Sequence, residues 1–230
     1  MNIWNKKITN TYNSNFEKPW YSPALKMLQY IAGKGDFERQ PTLVELGVGM
    51  GEFASLVRDY SLPYKYIGVD GSPRQIDTLQ DDGFQTMLAD FENQIPLEDD
   101  SVDVVVSLEV IEHIADAEQF VKEISRILKL GGFLILSTPN VGFALHRINY
   151  FLYAEVHQEG IHLRHFNQAR LNKILETHNL NLATKQSIMP LAIYNSFASR
   201  LGKPRKCIKC PNFVENWLAS NFIWLMEKKK

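Results

Sequence analysis

The chain reads as an α/β domain built on a mostly parallel sheet with helices on both faces. Three observations predict this. Strand-like and helix-like segments alternate from residue 41 to 138, a pattern that calls for right-handed βαβ crossovers. A glycine-rich turn, "ELGVGMG", falls between the first apolar run and the first helical pattern. Acidic residues then close the successive strand candidates, at the strand ends where ligands of parallel sheets bind.

Taken in order, "MNIWNKKITNTYNSN" has no apolar run of the kind a secretory leader needs. "NFEKPWYSPALKMLQYIAGKG" reads as a loop, a helix from about Pro23, and a glycine stop. "PTLVELGVG" is a short strand, "EFASLVRDY" a helix, and "YKYIGVDGS" a second strand whose helix opens at Pro73. "FQTMLAD" and "SVDVVVSLE" are the third and fourth strands. Asp116 and Gln119 make a capping box ahead of Ala117, Phe120, Val121, Ile124, Ile127 and Leu128 at helical spacing, and Gly131 and Gly132 are expected to end that helix. "FLILSTPN" is the fifth strand. Beyond Pro139 the pattern loosens. Residues 140–166 read as an insertion, Gln168 to Asn179 as a helix and "LNLATKQSIM" as a sixth strand. A helix near 191–201, a loop holding both cysteines, and a last strand around Asn221 to Met226 complete the chain. One domain over 1–230 is expected, its core at 41–139.

The bulk numbers bound the function. With 230 residues, 45% hydrophobic and 22% charged, the chain can bury one full core. A net charge of −1 and a pI near 6.6 give no overall footprint for nucleic acid. From Arg200 to Lys230, however, eight Lys and Arg face only Glu215 and Glu227, a local balance of +6. That end either solvates or meets an anionic substrate or surface. "FVENWLASNFIWLM" is too short and interrupted to cross a bilayer, so a cytoplasmic location is expected. Cys207 and Cys210 form half of a zinc-ribbon pattern with no second pair, which leaves a reduced loop or a redox-labile pair.

The chemistry concentrates at the strand ends. Gly47, Gly49 and Gly51 let a ligand lie against bare backbone in a turn that residues with a Cβ resist. The dinucleotide fingerprint would need a glycine where Glu52 stands. Glu45 just before the loop is ill-matched to a pyrophosphate and suits an amino group or a sulfonium. Both acids argue against a nicotinamide oxidoreductase. Asp70 closes the second strand, where a carboxylate can accept both hydroxyls of a ribose. Asp90 closes the third and can take an adenine amino group while Phe91 covers the base.

These residues resemble the class I S-adenosylmethionine-dependent methyltransferases. "ELGVGMG" is similar to their first motif, "YIGVDGS" to their ribose-binding strand end, "LADFENQIPLEDDSVDVVVSLEVIEHI" to their adenine and catalytic segments, and "LKLGGFLILSTPN" to their fifth strand. The resemblance implies a Rossmann-like doubly wound sheet of seven strands, the last antiparallel. It implies a cofactor site of Glu45, Gly47, Gly49, Gly51, Asp70, Gly71, Asp90, Phe91 and Leu108. It also implies a lid from residues 1–40, including Tyr12, Trp20 and Tyr21, and an acceptor pocket walled by residues 140–166 and 191–216.

Within that class, "EVIEH" is similar to the Glu-x-x-Glu-His of ubiquinone-biosynthesis O-methyltransferases and of the methyltransferases that modify the 2′-hydroxyl at the 3′ end of small RNAs. Both hold a divalent cation there. The resemblance implies Mg²⁺ or Mn²⁺ on Glu109, Glu112 and His113, with His162 of "GIHLRHFN" as a fourth ligand ahead of His165, His157 or His146. In the metal-free reading, Glu112 favours a helix N-terminus and His113 is a general base or a hydrogen-bonding residue. Arg164 either receives an anionic group of the substrate or pairs with a surface acid. The implied activity is O-methylation of a small hydroxylated metabolite. RNA 2′-O-methylation and N- or carboxyl-methylation of small molecules are the alternatives within the class, and a non-catalytic cofactor-binding protein is the alternative outside it.

Overall fold

The computed structural model describes residues 18–34, 39–153, 162–190 and 207–229, without the side chains of residues 149 and 153. The predicted helix near 191–201, Tyr12 and His157 lie outside the described residues. Eight strands form one sheet in the order β3-β2-β1-β4-β5-β8-β6-β7. They are β1 (Thr42–Leu46), β2 (Lys65–Asp70), β3 (Gln85–Leu88), β4 (Val102–Leu108), β5 (Leu128–Pro139), β6 (Leu180–Pro190), β7 (Cys207–Lys209) and β8 (Asn221–Lys228). β1 to β5 pair in parallel, while β8 runs antiparallel to both β5 and β6. The helices are α1 (Tyr21–Lys34), α2 (Glu52–Asp59), α3 (Pro73–Asp81), α4 (Ala117–Ile127), α5 (Ala144–Tyr153), α6 (Gln168–Thr177) and α7 (Glu215–Leu218).

The sheet is buried on both faces because its strands alternate within apolar runs. Val44, Leu46, Phe222 and Trp224 face a cluster completed by Phe120, Val121 and Ile124 of α4 and Leu171 and Leu175 of α6. Leu43, Val104, Ile223 and Leu225 face the opposite cluster with Met27, Leu28 and Ile31 of α1 and Phe53 and Val57 of α2. The strand order reverses direction between β1 and β4, the topological switch point at which such sheets open a ligand crevice.

Two expectations are corrected. The helix that Asp116 caps, accepting from the Gln119 N–H at 3.0 Å, stops at Ile127, and β5 begins immediately at Leu128. Gly131 and Gly132 sit inside β5, not at a helix end. Val102 pairs with Leu128 and Val104 with Phe133, so β5 loops out extra chain around the glycines. Gly131 takes φ 76°, and a Cβ on Gly132 would lie 2.9 Å from the Lys129 carbonyl. Secondly, the sheet has eight strands instead of seven. Part of the predicted cysteine loop pairs antiparallel with the end of β6, Pro190 opposite Cys207. Cys207 is exposed and Cys210 buried, and neither is disulfide-bonded. No described helix is long and apolar enough to cross a membrane.

Candidate active site

The loop from β1 into α2 shows why three glycines are needed and why they are not equivalent. All have positive φ: 82° at Gly47, 54° at Gly49 and 77° at Gly51. A Cβ on Gly47 would meet Val110 Cγ2 at 2.4 Å and one on Gly51 would meet Leu79 Cδ1 at 2.6 Å, whereas one on Gly49 would meet nothing within 4 Å. The outer two are therefore demanded by packing. Gly49 presents open backbone, the surface a ligand can approach. The loop is tied to the sheet by Gly47 N–H donating to the Val69 carbonyl at 2.8 Å.

Glu45 lies beneath this loop, 3% exposed, and its carboxylate accepts from the Tyr66 hydroxyl at 2.5 Å. Burial pushes its carboxyl up to about 8, against the lowering influence of Tyr66 and Lys18. A nearby ligand cation would favour its ionised form. Asp70 ends β2 and is held by two backbone donors, Ser72 N–H at 2.8 Å and Gly49 N–H at 3.4 Å. One carboxylate thus ties the glycine loop to the next strand end. Asp90 is exposed and accepts from the Glu92 N–H at 3.0 Å and the Asn93 side-chain amide at 2.9 Å. Gly71 lies beside the chain that leaves β3, where a Cβ on it would make an ordinary 3.5 Å contact with the Ala89 carbonyl. Phe91 turns inward, its ring 5.5 Å from Phe120, and Leu108 is buried at the end of β4.

Sequence reasoning named Tyr21 for the lid and Glu52 against a dinucleotide, but missed Tyr66 and the joining of Tyr21 and Glu52 with Lys18. Tyr21 donates to Glu52 at 2.8 Å, and Lys18 pairs with the same oxygen at 2.5 Å. Only the start of α1 reaches the site; Met27, Leu28 and Ile31 belong to the core. Tyr66 stands 21 residues from Glu45, so no local pattern signals the contact.

At the exit of β4, Glu109 has different partners from Glu112 and His113. Glu109 takes φ 58°, which breaks any continuous helical turn through residues 109–113. Its carboxylate accepts from the Ser137 hydroxyl at 2.6 Å and the Asn221 amide at 2.8 Å. A 3-10 turn over Ile111–His113 then carries the other two. Glu112 is 1% exposed; one oxygen accepts from the Thr138 hydroxyl at 3.1 Å, and the other has no hydrogen-bond partner among the described residues. Burial raises its carboxyl above the usual range, against hydrogen bonding and His113.

The Glu112 carbonyl accepts from Leu163 and Arg164 N–H at 2.9 and 3.0 Å, and this clamp brings His162 against His113 with ring centroids 5.0 Å apart. One ligand atom each from Glu112, His113 and His162 lie within 4.8 Å of one another. Glu109 is outside that group. Arg164 donates to the Ala115 carbonyl, His146 packs edge-on to Phe143 at 5.3 Å, and His165 is half-buried.

A methyltransferase-domain family model matches residues 44–136. The chain is 43% identical over 84 residues to a protein of Mycolicibacterium smegmatis named a probable S-adenosylmethionine-dependent methyltransferase, a stretch covering 36% of this chain and 30% of that one. It therefore spans less than a third of the length of this relative. Among solved structures, a methyltransferase of the same cofactor class from Thermotoga maritima superposes with a TM-score of 0.63 at 23% identity, covering 91% of this chain and 89% of that one. One from Mesorhizobium loti gives 0.61 at 13% identity, covering 89% and 96%. At these identities the structures speak for the fold. Strand order, glycine loop and matched segment agree: residues 44–136 are similar to a methyltransferase domain, and the chain has the fold of these solved methyltransferases.

Proposed function

We propose that the chain transfers the methyl group of S-adenosylmethionine to a hydroxyl oxygen of a small metabolite, with His113 as the base. The observation that carries this reading is the position of His113, at the exit of β4 beside buried Glu112 and facing His162. The cradle fits the cofactor: open backbone at Gly49, a tethered acceptor at Asp70 and a buried carboxyl at Glu45. When bound, S-adenosylmethionine supplies an electrophilic methyl on a sulfonium. Asp70 would accept from the ribose hydroxyls, Glu45 would balance the amino and sulfonium charge, and Asp90 would take the adenine amino group. His113 would receive the proton of the acceptor hydroxyl, and the Glu112 carboxylate would stabilise the imidazolium.

A second reading is favoured by the Glu112 oxygen that has no hydrogen-bond partner among the described residues and by ligand atoms of Glu112, His113 and His162 within 4.8 Å of one another. A carboxylate with two imidazoles suits Mn²⁺ or another divalent cation, which when bound would make a hydroxyl ligand more acidic. Glu109 would then support the site through Ser137 and Asn221 and not ligate.

Turnover with a panel of hydroxylated acceptors, with and without a chelator, tests both. His113→Ala should lower kcat about 100-fold or more while S-adenosylhomocysteine binding stays within about twofold. Unchanged turnover in that variant would remove His113 from the chemistry. Activity lost to chelator and restored by Mn²⁺ would select the metal reading.

A further inference from the structure

In the parallel register of β1 and β2, Glu45 lies opposite Gly68. Tyr66 shares the face of β2 on which Gly68 and Asp70 stand. Gly68 makes room for its ring, since a Cβ there would come 3.4 Å from Tyr66 Cε1 and 2.9 Å from both Leu79 Cδ2 and Val48 Cγ1. The Tyr66 hydroxyl donates to Glu45 Oε2 at 2.5 Å. Its ring meets Phe84 edge-on with centroids 5.3 Å apart, and the Arg58 guanidinium lies 4.7 Å over Phe84. A ring packed in this way delivers its hydroxyl to one place.

The surroundings divide in their effect on Glu45. Burial favours its neutral carboxyl, and the charges of Asp70 on β2 and Glu52 on α2 push the same way, whereas Tyr66 and Lys18 oppose them. Lys18, ahead of α1, pairs with Glu52 at 2.5 Å and acts on Glu45 through charge alone. Tyr21 of α1 donates to Glu52 at 2.8 Å and lies within electrostatic reach of Glu45 and of Glu109 beyond β4. β4 itself sets Val106 beside Glu45, and α3 brings Leu79. Burial and the Glu45 charge drive the Tyr66 hydroxyl far above its usual range, so it stays a donor at any working pH.

We infer that Tyr66 is a positioning residue of the cofactor cradle, its hydroxyl fixing the Glu45 carboxylate for a cationic ligand. The inference rests on the proposed role of Glu45 in balancing the charge of S-adenosylmethionine. A donor on a carboxylate favours the ionised form, so Tyr66 lowers the pH at which the cradle accepts a cation. Ligands bearing that cation gain from the contact, and an adenosine ligand without it does not.

Calorimetry on the full chain tests this without an acceptor. The probes are S-adenosylmethionine, which carries an ammonium and a sulfonium, and 5′-methylthioadenosine, which carries neither. Wild-type affinity for S-adenosylmethionine should rise several-fold from about pH 6 to about pH 8. Tyr66→Phe should move that rise about one pH unit higher, so that affinity at about pH 7 falls about fivefold. Affinity for 5′-methylthioadenosine and the circular dichroism spectrum should stay unchanged. In a Glu45→Gln background the same substitution should leave the profile as it is. A Tyr66→Phe profile like that of the wild type would overturn the inference and leave the cofactor reading standing. Equal loss for both ligands, or the same shift in the Glu45→Gln background, would make Tyr66 a packing residue and overturn it as well. No binding of S-adenosylmethionine by the wild type at any pH would overturn the cofactor reading and the inference with it.

Discussion

The two halves of the sheet's ligand-binding edge are built on opposite principles. At the ends of β1, β2 and β3, short stretches of chain fix the backbone: three glycines at positive φ, a buried carboxyl at Glu45 and a doubly held Asp70. Beyond β5 the work is done by residues far apart in sequence, such as Glu109 with Asn221 and Arg147 with Trp217, and much of the apolar surface stays outside. The family match stops at residue 136, where the first half gives way to the second. A ligand that never changes demands a fixed backbone cradle. An acceptor that varies leaves the other wall to loops and insertions.

Breaking the first half at its strongest point should leave the second intact. Asp70→Ala removes the acceptor of Ser72 and Gly49 N–H together with the proposed ribose contacts. S-adenosylhomocysteine affinity by calorimetry should fall about 100-fold, the scale of losing two charged hydrogen bonds, while circular dichroism is unchanged. Loss of both would mean that the halves are one cooperative unit.

The next effect separates packing from ligand approach within the cradle itself. Gly47→Ala places a methyl on Val110 at a φ that alanine resists, so urea midpoints should show a loss of about 2–3 kcal/mol. Gly49→Ala meets open space and should cost only about 1 kcal/mol of stability, yet weaken cofactor binding if the proposed cradle is the site. Equal stability losses would contradict the distinct roles given to the two glycines.

The smallest effect is pH-dependent. Glu45 rises from 4.5 to about 8 in the folded protein, so between those values the native state holds a proton that the unfolded chain has released. Its contribution to stability therefore falls as pH rises through that window. A cationic ligand favours the ionised carboxylate, so S-adenosylmethionine should bind several-fold more weakly at about pH 6 than at about pH 8, with proton release. Glu45→Gln should flatten this dependence, and a profile unchanged by that substitution would take Glu45 out of contact with the ligand charge.

The contrast also accounts for what could be read in advance. The Asp116 cap, the glycine loop and the carboxylates at successive strand ends are local signals, each requiring a particular residue at a fixed offset. Tyr66 on Glu45, the Ser137 and Asn221 hold on Glu109, and the pairing of β7 with β6 involve partners that only the folded sheet brings together. Gly131 and Gly132 show the same ambiguity on a smaller scale, for a glycine pair after a helical pattern fits a helix stop as well as a loop inside a strand.

By itself the sequence determined the alternation of elements, the parallel core and the cofactor-side backbone, because helical and strand periodicity and left-handed turns are properties of neighbouring residues. Tertiary structure alone decided that Ser137 and Asn221 hold Glu109, that His162 arrives beside Glu112 and His113, and that α5 turns its apolar residues outward. The reason is physical: side-chain direction at the end of a strand depends on which distant donor satisfies it, and burial of a helix face depends on whether another element covers it.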